Sequence, residues 1–273
     1  MSHEADTADA GGSVTARRDG AVLRITIDRP GQRNSLTHLM IGALVDMLTD
    51  AAADDSLRAI HILGAGDDFC AGADWVAAND PGGQRPRAGD LVRRIPHAAH
   101  RVIELVAGIQ LPVLCSVQGW AVGFGCNLAL AADFTVAATD AVFWEPFVDR
   151  GFSPDSGSTW LLPRLVGLAR ARRMLLLGEK VSATDAADWG LIHQAVSRGE
   201  LGDAAEGLLE RLARGPTVAI GLTKQGLSFG EHATLGQSMT QELFNLELSC
   251  RTGDFKEGLQ AFQGRRAPKF EGR

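Results

Sequence analysis

The sequence predicts an α/β fold: twisted, mainly parallel sheets flanked by helices, followed by a helical C-terminal segment. Three observations carry that expectation. Strand-like and helix-like segments alternate from Ala21 to about residue 145, and parallel strands need such crossovers. Two apolar strands run straight into turns marked by glycine, one at Ala71-Gly72-Ala73 and one at Gly119, Gly123 and Gly125. Beyond Ser153 the pattern turns mostly helical, with few strand signals.

Taken in order, Ala21–Ile27 alternates apolar and polar residues as a half-buried strand does. Thr37 is placed to cap a helix that carries Met40, Ile41, Leu44, Val45 and Leu48 on one face. Ala59–Leu63 reads as a second strand. The stretch Asn79–Gly89, rich in glycine, proline and charge, reads as a mobile loop. A single helix over Asp90–Gly108 would turn Leu91, Ile95, Val102, Leu105 and Val106 inward. Val113–Val117 is a wholly apolar strand apart from Ser116, and a helix follows over roughly Cys126–Ala132. Helices are expected at Thr217–Gly226, Glu231–Cys250 and Gly253–Phe262. The chain divides into a disordered leader over 1–18, an α/β core over 19–200 and a C-terminal helical segment over 201–273.

Composition narrows the function classes. A net charge of −6 without a dense basic tract argues against a nucleic-acid partner. No apolar run reaches the roughly 18 residues that a membrane span needs. The first residues, MSHEADTADAGGS, are acidic and small, unlike a secretory signal. Cys70, Cys115, Cys126 and Cys250 are scattered, which suits reduced, mostly buried thiols in a cytoplasmic protein. No metal is expected: His97 and His100 share a helix turn, but nothing completes a ligand set. Gly64-Ala65-Gly66 has Phe69 at the third glycine position of a dinucleotide loop, and Gly151–Asp155 lacks the closing glycine of a hydrolase elbow.

The two glycine turns carry the chemistry. Glycine lets backbone N–H groups approach a ligand closely, and a helix N-terminus favours negative charge. Two such loops aimed at one point would stabilise an oxyanion as it develops, which points to thioester chemistry.

At these residues the chain resembles the enoyl-CoA hydratase/isomerase (crotonase) superfamily. The likeness spans about residues 20–270 and rests on six segments in family order. They are ITIDRPGQRNSLT from Ile25, GAGDDFCAGAD from Gly64, GWAVGFGCNLALAADF from Gly119, SPDSGSTWLLPRLVG from Ser153, ATDAADWGLIHQAV from Ala183 and EGLQAFQGRRAPKF from Glu257. The resemblance implies a crotonase-like fold and an acyl-CoA substrate, with coenzyme A arriving as part of it and no further cofactor. It also implies a homotrimer, or a homohexamer of two trimers, assembled through the C-terminal helices. It places the thioester oxygen at the backbone N–H groups of Ala73 and Phe124. Coenzyme A would run past Gln32, Arg33 and Asn34, with the Ala71 carbonyl receiving the adenine amine. Asp74, Trp75 and Phe147 would lie beside the ligand. Arg265, Arg266 and Lys269 would reach a neighbouring subunit's ligand.

The chain departs from a typical hydratase of this family at the two acid/base glutamates, where it has Asn127 and Phe147. Asp155, eight residues beyond Phe147, matches the catalytic aspartate of family isomerases that act on ring-opened or epoxidised phenylacetyl-CoA intermediates. One base that removes a proton from the α-carbon and returns it at the γ-carbon completes such an isomerisation. If Phe143, Phe147 and Trp160 enclose Asp155, burial raises its pKa. From spacing alone, Asp155 is equally an N-cap for the helix through Leu162. Glu145 shares strand parity with Phe147 and is a second candidate, ahead of Asp149. The leading expectation is an isomerase. A hydratase using Asp155 and Glu145 is the alternative, and an acyl-CoA binder without chemistry is another. Trp75, Phe124, Trp144 and the loop over Asn79–Gly89 would set the acyl preference.

Overall fold

The computed structural model describes residues 11–74 and 89–273. Six strands form the main sheet in the order β1 (Ser13–Asp19), β2 (Val22–Asp28), β3 (Ala59–Gly64), β4 (Val113–Val117), β6 (Phe134–Ala138) and β9 (Gln194–Val196). All neighbours run parallel except β1 and β2, a hairpin turned at Gly20 with φ 59°. A smaller sheet holds β5 (Trp120–Val122), β7 (Val142–Trp144) and β8 (Val181–Ser182), with β5 and β7 parallel. The α/β architecture expected from the alternation is therefore the one observed.

The leader is a correction. Strand β1 (Ser13–Asp19) overlaps the segment 1–18, expected to be disordered from its acidic, small-residue start. It pairs along its whole length with β2 as an edge strand, and only Val14 of it is buried. Backbone pairing needs no apolar sequence, so hydropathy alone missed it. Residues 1–10 lie outside those described, as does nearly all of the loop expected over Asn79–Gly89.

Helix α1 (His38–Ala53) starts where expected, with the Thr37 side chain accepting from Met40 N–H at 3.3 Å. The single helix expected over Asp90–Gly108 is instead α2 (Asp90–Arg94), a 3-10 turn at Ile95–His97, and α3 (Ala99–Gly108). Pro96 lies in that turn and Ala98 has φ −126° and ψ −96°, which breaks the helix. Leu91, expected inward, is half exposed as a result. Helix α4 (Phe124–Ala131) is buried throughout. Helix α5 (Ser158–Leu177) breaks at Gly167, and α6 (Ala183–Trp189) is capped by Ser182. Helices α7 (Leu201–Ala213), α8 (Thr217–Gly230), α9 (Leu235–Ser249) and α10 (Gly253–Gln263) follow, with ends close to those expected for the last three.

The sheet is covered on both faces, as parallel sheets are. Ile25, Ile27, Ile60 and Ile62 face Met40 and Leu44 of α1 and Val102 and Val106 of α3. Ala59 and Leu114 face Ala205 and Leu209 of α7. On that second face Arg24 forks onto Glu206 at 2.7 and 2.9 Å, tying α7 to β2. Arg24 also contacts His61 Nδ1 at 3.0 Å, while His61 Nε2 lies 2.7 Å from Ser116 Oγ. A guanidinium only donates, so Nδ1 accepts and Nε2–H donates to the serine. That is the wrong tautomer for a base acting on Ser116, and the group is structural.

Burial, with the Arg24 charge adding to it, lowers the His61 pKa to about 4. An unfolded histidine titrates near 6.5, so between these values the unfolded chain binds more protons than the folded one. His61 thus favours the fold fully above about pH 6.5, and that contribution, on the order of 3 kcal/mol, fades as the pH falls towards 4. Thermal melts over this range should show a steeper loss of stability for the unsubstituted protein than for His61→Gln. Equal slopes would remove histidine from the account.

Several large apolar side chains of the C-terminal helices face outward, among them Leu227, Leu235, Leu243, Phe244 and Phe262. Among the described residues, no helix is long and apolar enough to cross a membrane.

Candidate active site

The site grows from a loop pinned by buried hydrogen bonds. Asn34, fully buried with φ 57°, accepts from Arg29 N–H at 2.8 Å and donates to the carbonyls of Ala65 and Asp68 at 2.8 and 2.6 Å. This fixes residues 33–36 alongside 71–74. Ala71 N–H donates to Arg33 O, Leu36 N–H to Gly72 O, and Asp74 N–H to Leu36 O, at 2.9, 2.8 and 3.0 Å. On the other flank Cys70 exchanges backbone bonds with Trp120 and Val122 of β5. Because Gly72 O and Asp74 N–H both face the 33–36 loop, the N–H of Ala73 between them faces away from it.

The second expected donor, the N–H of Phe124, starts a helix close to the same strip. Gly123, with φ 53°, donates to Trp144 O and turns the chain into α4, whose first residue is Phe124. The N–H of a first helical residue has no partner within its helix. The two loops touch: a Cβ built on Gly72 would meet Val122 O at 2.7 Å and Phe124 N at 3.5 Å. Only glycine allows that approach, and φ 94° at Gly72 demands it as well.

Ala71, Ala73 and Phe124 line one cavity of about 360 Å³. Its wall is largely apolar, with Leu36, Ile41, Ile95 and a T-shaped pair, Phe147 and Phe152, whose ring centroids are 5.5 Å apart. Asp155 lies on the same wall. Its Oδ1 accepts from Ser156 Oγ at 2.9 Å, and Ser156 N–H reaches His100 Nε2 at 3.4 Å. Burial raises the Asp155 pKa from the ordinary aspartate value, and the Ser156 hydroxyl and the neighbouring His100 oppose that rise. Asp155 does not cap the helix. Gly157 holds the N-cap position, and what α5 receives at Ser158 is the Asp155 backbone carbonyl. Ser156, buried with φ 53°, is a non-glycine residue in the left-handed region beside this carboxylate.

Other expected site residues are placed differently. Glu145 does not line the cavity. Strand β7 ends at Trp144, so the parity shared with Phe147 lapses, and Glu145 is wholly buried behind α4. Asn127 is also buried, its Nδ2 at 3.5 Å from Asp155 O. Asp74 lines the cavity but is held by Arg29 at 2.7 Å. Arg33 stays outside the cavity wall, exposed, 4.0 Å from Asp68 and 5.8 Å from the Trp120 ring. Asn34 is committed to its loop and presents nothing to a nucleotide. Trp75 lies outside the described residues. Trp160 does not enclose Asp155, since its ring faces Arg164 and His232. Phe143 is buried in the core and Trp144 donates to Gly178 O, so neither lines the cavity. Arg266 is paired with Glu257 at 2.6 Å.

Cys126 is fully buried, and burial pushes its thiol pKa well up, so it has no nucleophile's character. No cluster of His, Cys, Asp or Glu among the described residues could hold a metal ion. Sequence reasoning did not find the Arg29–Asp74 pair or the Ser156–His100 contact. Each joins residues about 45 or more positions apart, and nothing local marks them.

The chain matches known proteins along nearly its whole length. A family model for enoyl-CoA hydratase/isomerase matches residues 17–273. The 1,2-epoxyphenylacetyl-CoA isomerase of Escherichia coli is 39% identical over 261 residues, 95% of this chain and 98% of its own length. The 2,3-dehydroadipyl-CoA hydratase of the same organism is 32% identical over 256 residues, 94% and 97% of the two chains. The crystal structure of an enoyl-CoA hydratase from a Polaromonas species superposes with a TM-score of 0.88 at 30% identity, covering 95% of this chain and all of that one. Sequence and fold agree over nearly the whole length: this chain belongs to the enoyl-CoA hydratase/isomerase family.

Proposed function

We propose that the protein is an acyl-CoA isomerase that moves a double bond of an enoyl thioester from the β,γ to the α,β position. One observation carries the reading: Asp155 shares a cavity wall with the loops of Ala73 and Phe124, and the other carboxylate lining it among the described residues, Asp74, is bound to Arg29. In this mechanism Asp155 takes a proton from the α-carbon, and the electron pair passes onto the thioester oxygen. The N–H groups of Ala73 and Phe124 stabilise the resulting enolate, each contributing about 3 kcal/mol to the transition state. The proton then returns from Asp155 to the γ-carbon, and the product is the conjugated isomer. No water is added and no electron is gained or lost.

The alternative, hydration, needs a second acid/base group to orient and deprotonate water. The wall has the Phe147 ring where family hydratases carry a glutamate, and Glu145 is buried away from the cavity. The likeness to an epoxyphenylacetyl-CoA isomerase supports the same choice, and the Phe147–Phe152 wall suits a ring-bearing acyl group. Coenzyme A enters with the substrate, and the reading requires no metal or redox cofactor. The outward apolar side chains of the C-terminal helices support self-assembly, and the trimer or dimer of trimers remains what the family likeness implies.

The test incubates purified protein with a β,γ-enoyl-CoA and separately with an α,β-enoyl-CoA, following mass and ultraviolet absorbance. Conversion of the first without change of mass is the expected result. Addition of one water to the second, with no conversion of the first, would make the protein a hydratase. The pH profile gives a further expectation. Asp155 works as an anion, and burial raises its pKa. The acid limb of kcat/KM should therefore fall at a pH above the ordinary aspartate value of about 3.9. An acid limb at or below that value would mean the group that titrates is a solvated carboxylate.

A further inference from the structure

Glu145 is the most anomalous group in the molecule. It is fully buried, and its carboxylate oxygens have no partner beyond the weakly donating Cys126 thiol beside them. A carboxylate anion with only a thiol for a donor and no cation in such a place is prohibitively costly, so the group is neutral. Burial drives its pKa well up and the nearby Asp155 adds to that, while the Cys126 thiol beside it opposes. A neutral carboxylic acid has an O–H that needs an acceptor. The same region holds an acceptor that needs a donor: Asn127 Oδ1, buried and likewise unpartnered. Asn127 follows Cys126 in the first turns of α4, and its Nδ2 faces the Asp155 backbone carbonyl at 3.5 Å. The two orphaned groups are complementary, and both flank the turn that carries Phe124.

We propose that Glu145 is a neutral carboxylic acid whose O–H donates to Asn127 Oδ1, directly or through one buried water, making it a positioning residue for Asp155. The amide so oriented aims its N–H at the Asp155 carbonyl and fixes the main chain on which the base stands. The titratable groups packed around Glu145 are Cys126 from α4 and Asp155 from the turn before α5, with His100 of α3 beyond Ser156. Glu145 thus supports the site without touching substrate. The inference rests on the reading of Asp155 as the base.

Three proteins test it: the unsubstituted chain, Glu145→Gln and Glu145→Leu. Infrared difference spectra should show the carbonyl stretch of a protonated carboxylic acid throughout the neutral range, and Glu145→Gln should abolish it. Glutamine is uncharged and offers an amide N–H, so Glu145→Gln should keep kcat within about threefold and leave the acid limb of the pH profile in place. Glu145→Leu should lower kcat roughly ten- to a hundredfold with KM within about twofold, because a misplaced base costs rate rather than binding. Adding Asn127→Leu to Glu145→Leu should then cost little more. Absence of the acid band would overturn the proposal without any kinetic argument. So would a loss in Glu145→Gln as deep as in Glu145→Leu, or full activity in Glu145→Leu. Failure of the isomerase reading is distinguishable, because it would appear as full activity in Asp155→Asn while the acid band persisted.

Discussion

Asp155→Asn is expected to lower kcat/KM on a β,γ-enoyl-CoA about a thousandfold, the middle of the range for removing a general base. The substitution is nearly isosteric. The amide oxygen keeps the bond from Ser156 Oγ, and the carbonyl that receives Ser158 at the start of α5 is main chain and unchanged. Folding and thioester binding should survive, so the loss should fall on kcat with KM little altered. Burial disfavours the Asp155 anion in the folded protein, so removing its charge should leave thermal stability near neutral pH unchanged or slightly higher. Single-turnover measurements on Asp155→Asn, with a binding titration on the same preparation, decide the matter. Activity within about tenfold of the unsubstituted protein, with binding intact, would take the base away from Asp155.

Gly125→Ala should be the most damaging of the conservative substitutions. In a helix interior, replacing glycine by alanine ordinarily stabilises by about 0.5–1 kcal/mol. At Gly125 the sign reverses. The new Cβ would lie 2.2 Å from Cys70 O and 2.8 Å from Cys70 Cβ. Cys70 has no room to retreat, because its N–H and carbonyl are both bonded to β5. The strip carrying Ala73 and the helix start carrying Phe124 would be forced apart. A cost of about 3 kcal/mol in stability is expected, with a larger proportional loss of activity because two donor positions shift together. Gly207→Ala in α7 is the control: nothing lies within 4 Å of its added Cβ. It should raise stability by the ordinary amount. Chemical denaturation of both variants checks the pair, and a shift of the same sign in both would contradict the packing argument.

The legible parts of this protein were those written in local pattern. Thr37 before an amphipathic run announced the start of α1, and the wholly buried strand Val113–Val117 announced a parallel sheet covered on both faces. The glycines of both donor loops stood out for the same reason: a positive φ or a close backbone approach excludes a side chain. The break at Ile95–His97 was visible in Pro96 yet outweighed by an apolar periodicity that ran across it. The edge strand Ser13–Asp19 was invisible, because pairing through backbone groups leaves no hydropathic trace.

The roles of the carboxylates divide along the same line. By itself the sequence determined the fold class, the two glycine loops and the position of one aspartate in a family segment, since each depends on residue type at fixed local spacing. Only the tertiary structure decided which acidic side chains meet the cavity. Asp74 and Asp155 both reach it, but Arg29, far away in sequence, binds the first. Glu145 lies two residues from the cavity-lining Phe147, yet the end of β7 turns it into the interior. Orientation and partnership depend on where distant chain segments pack, and no local spacing of residues encodes that.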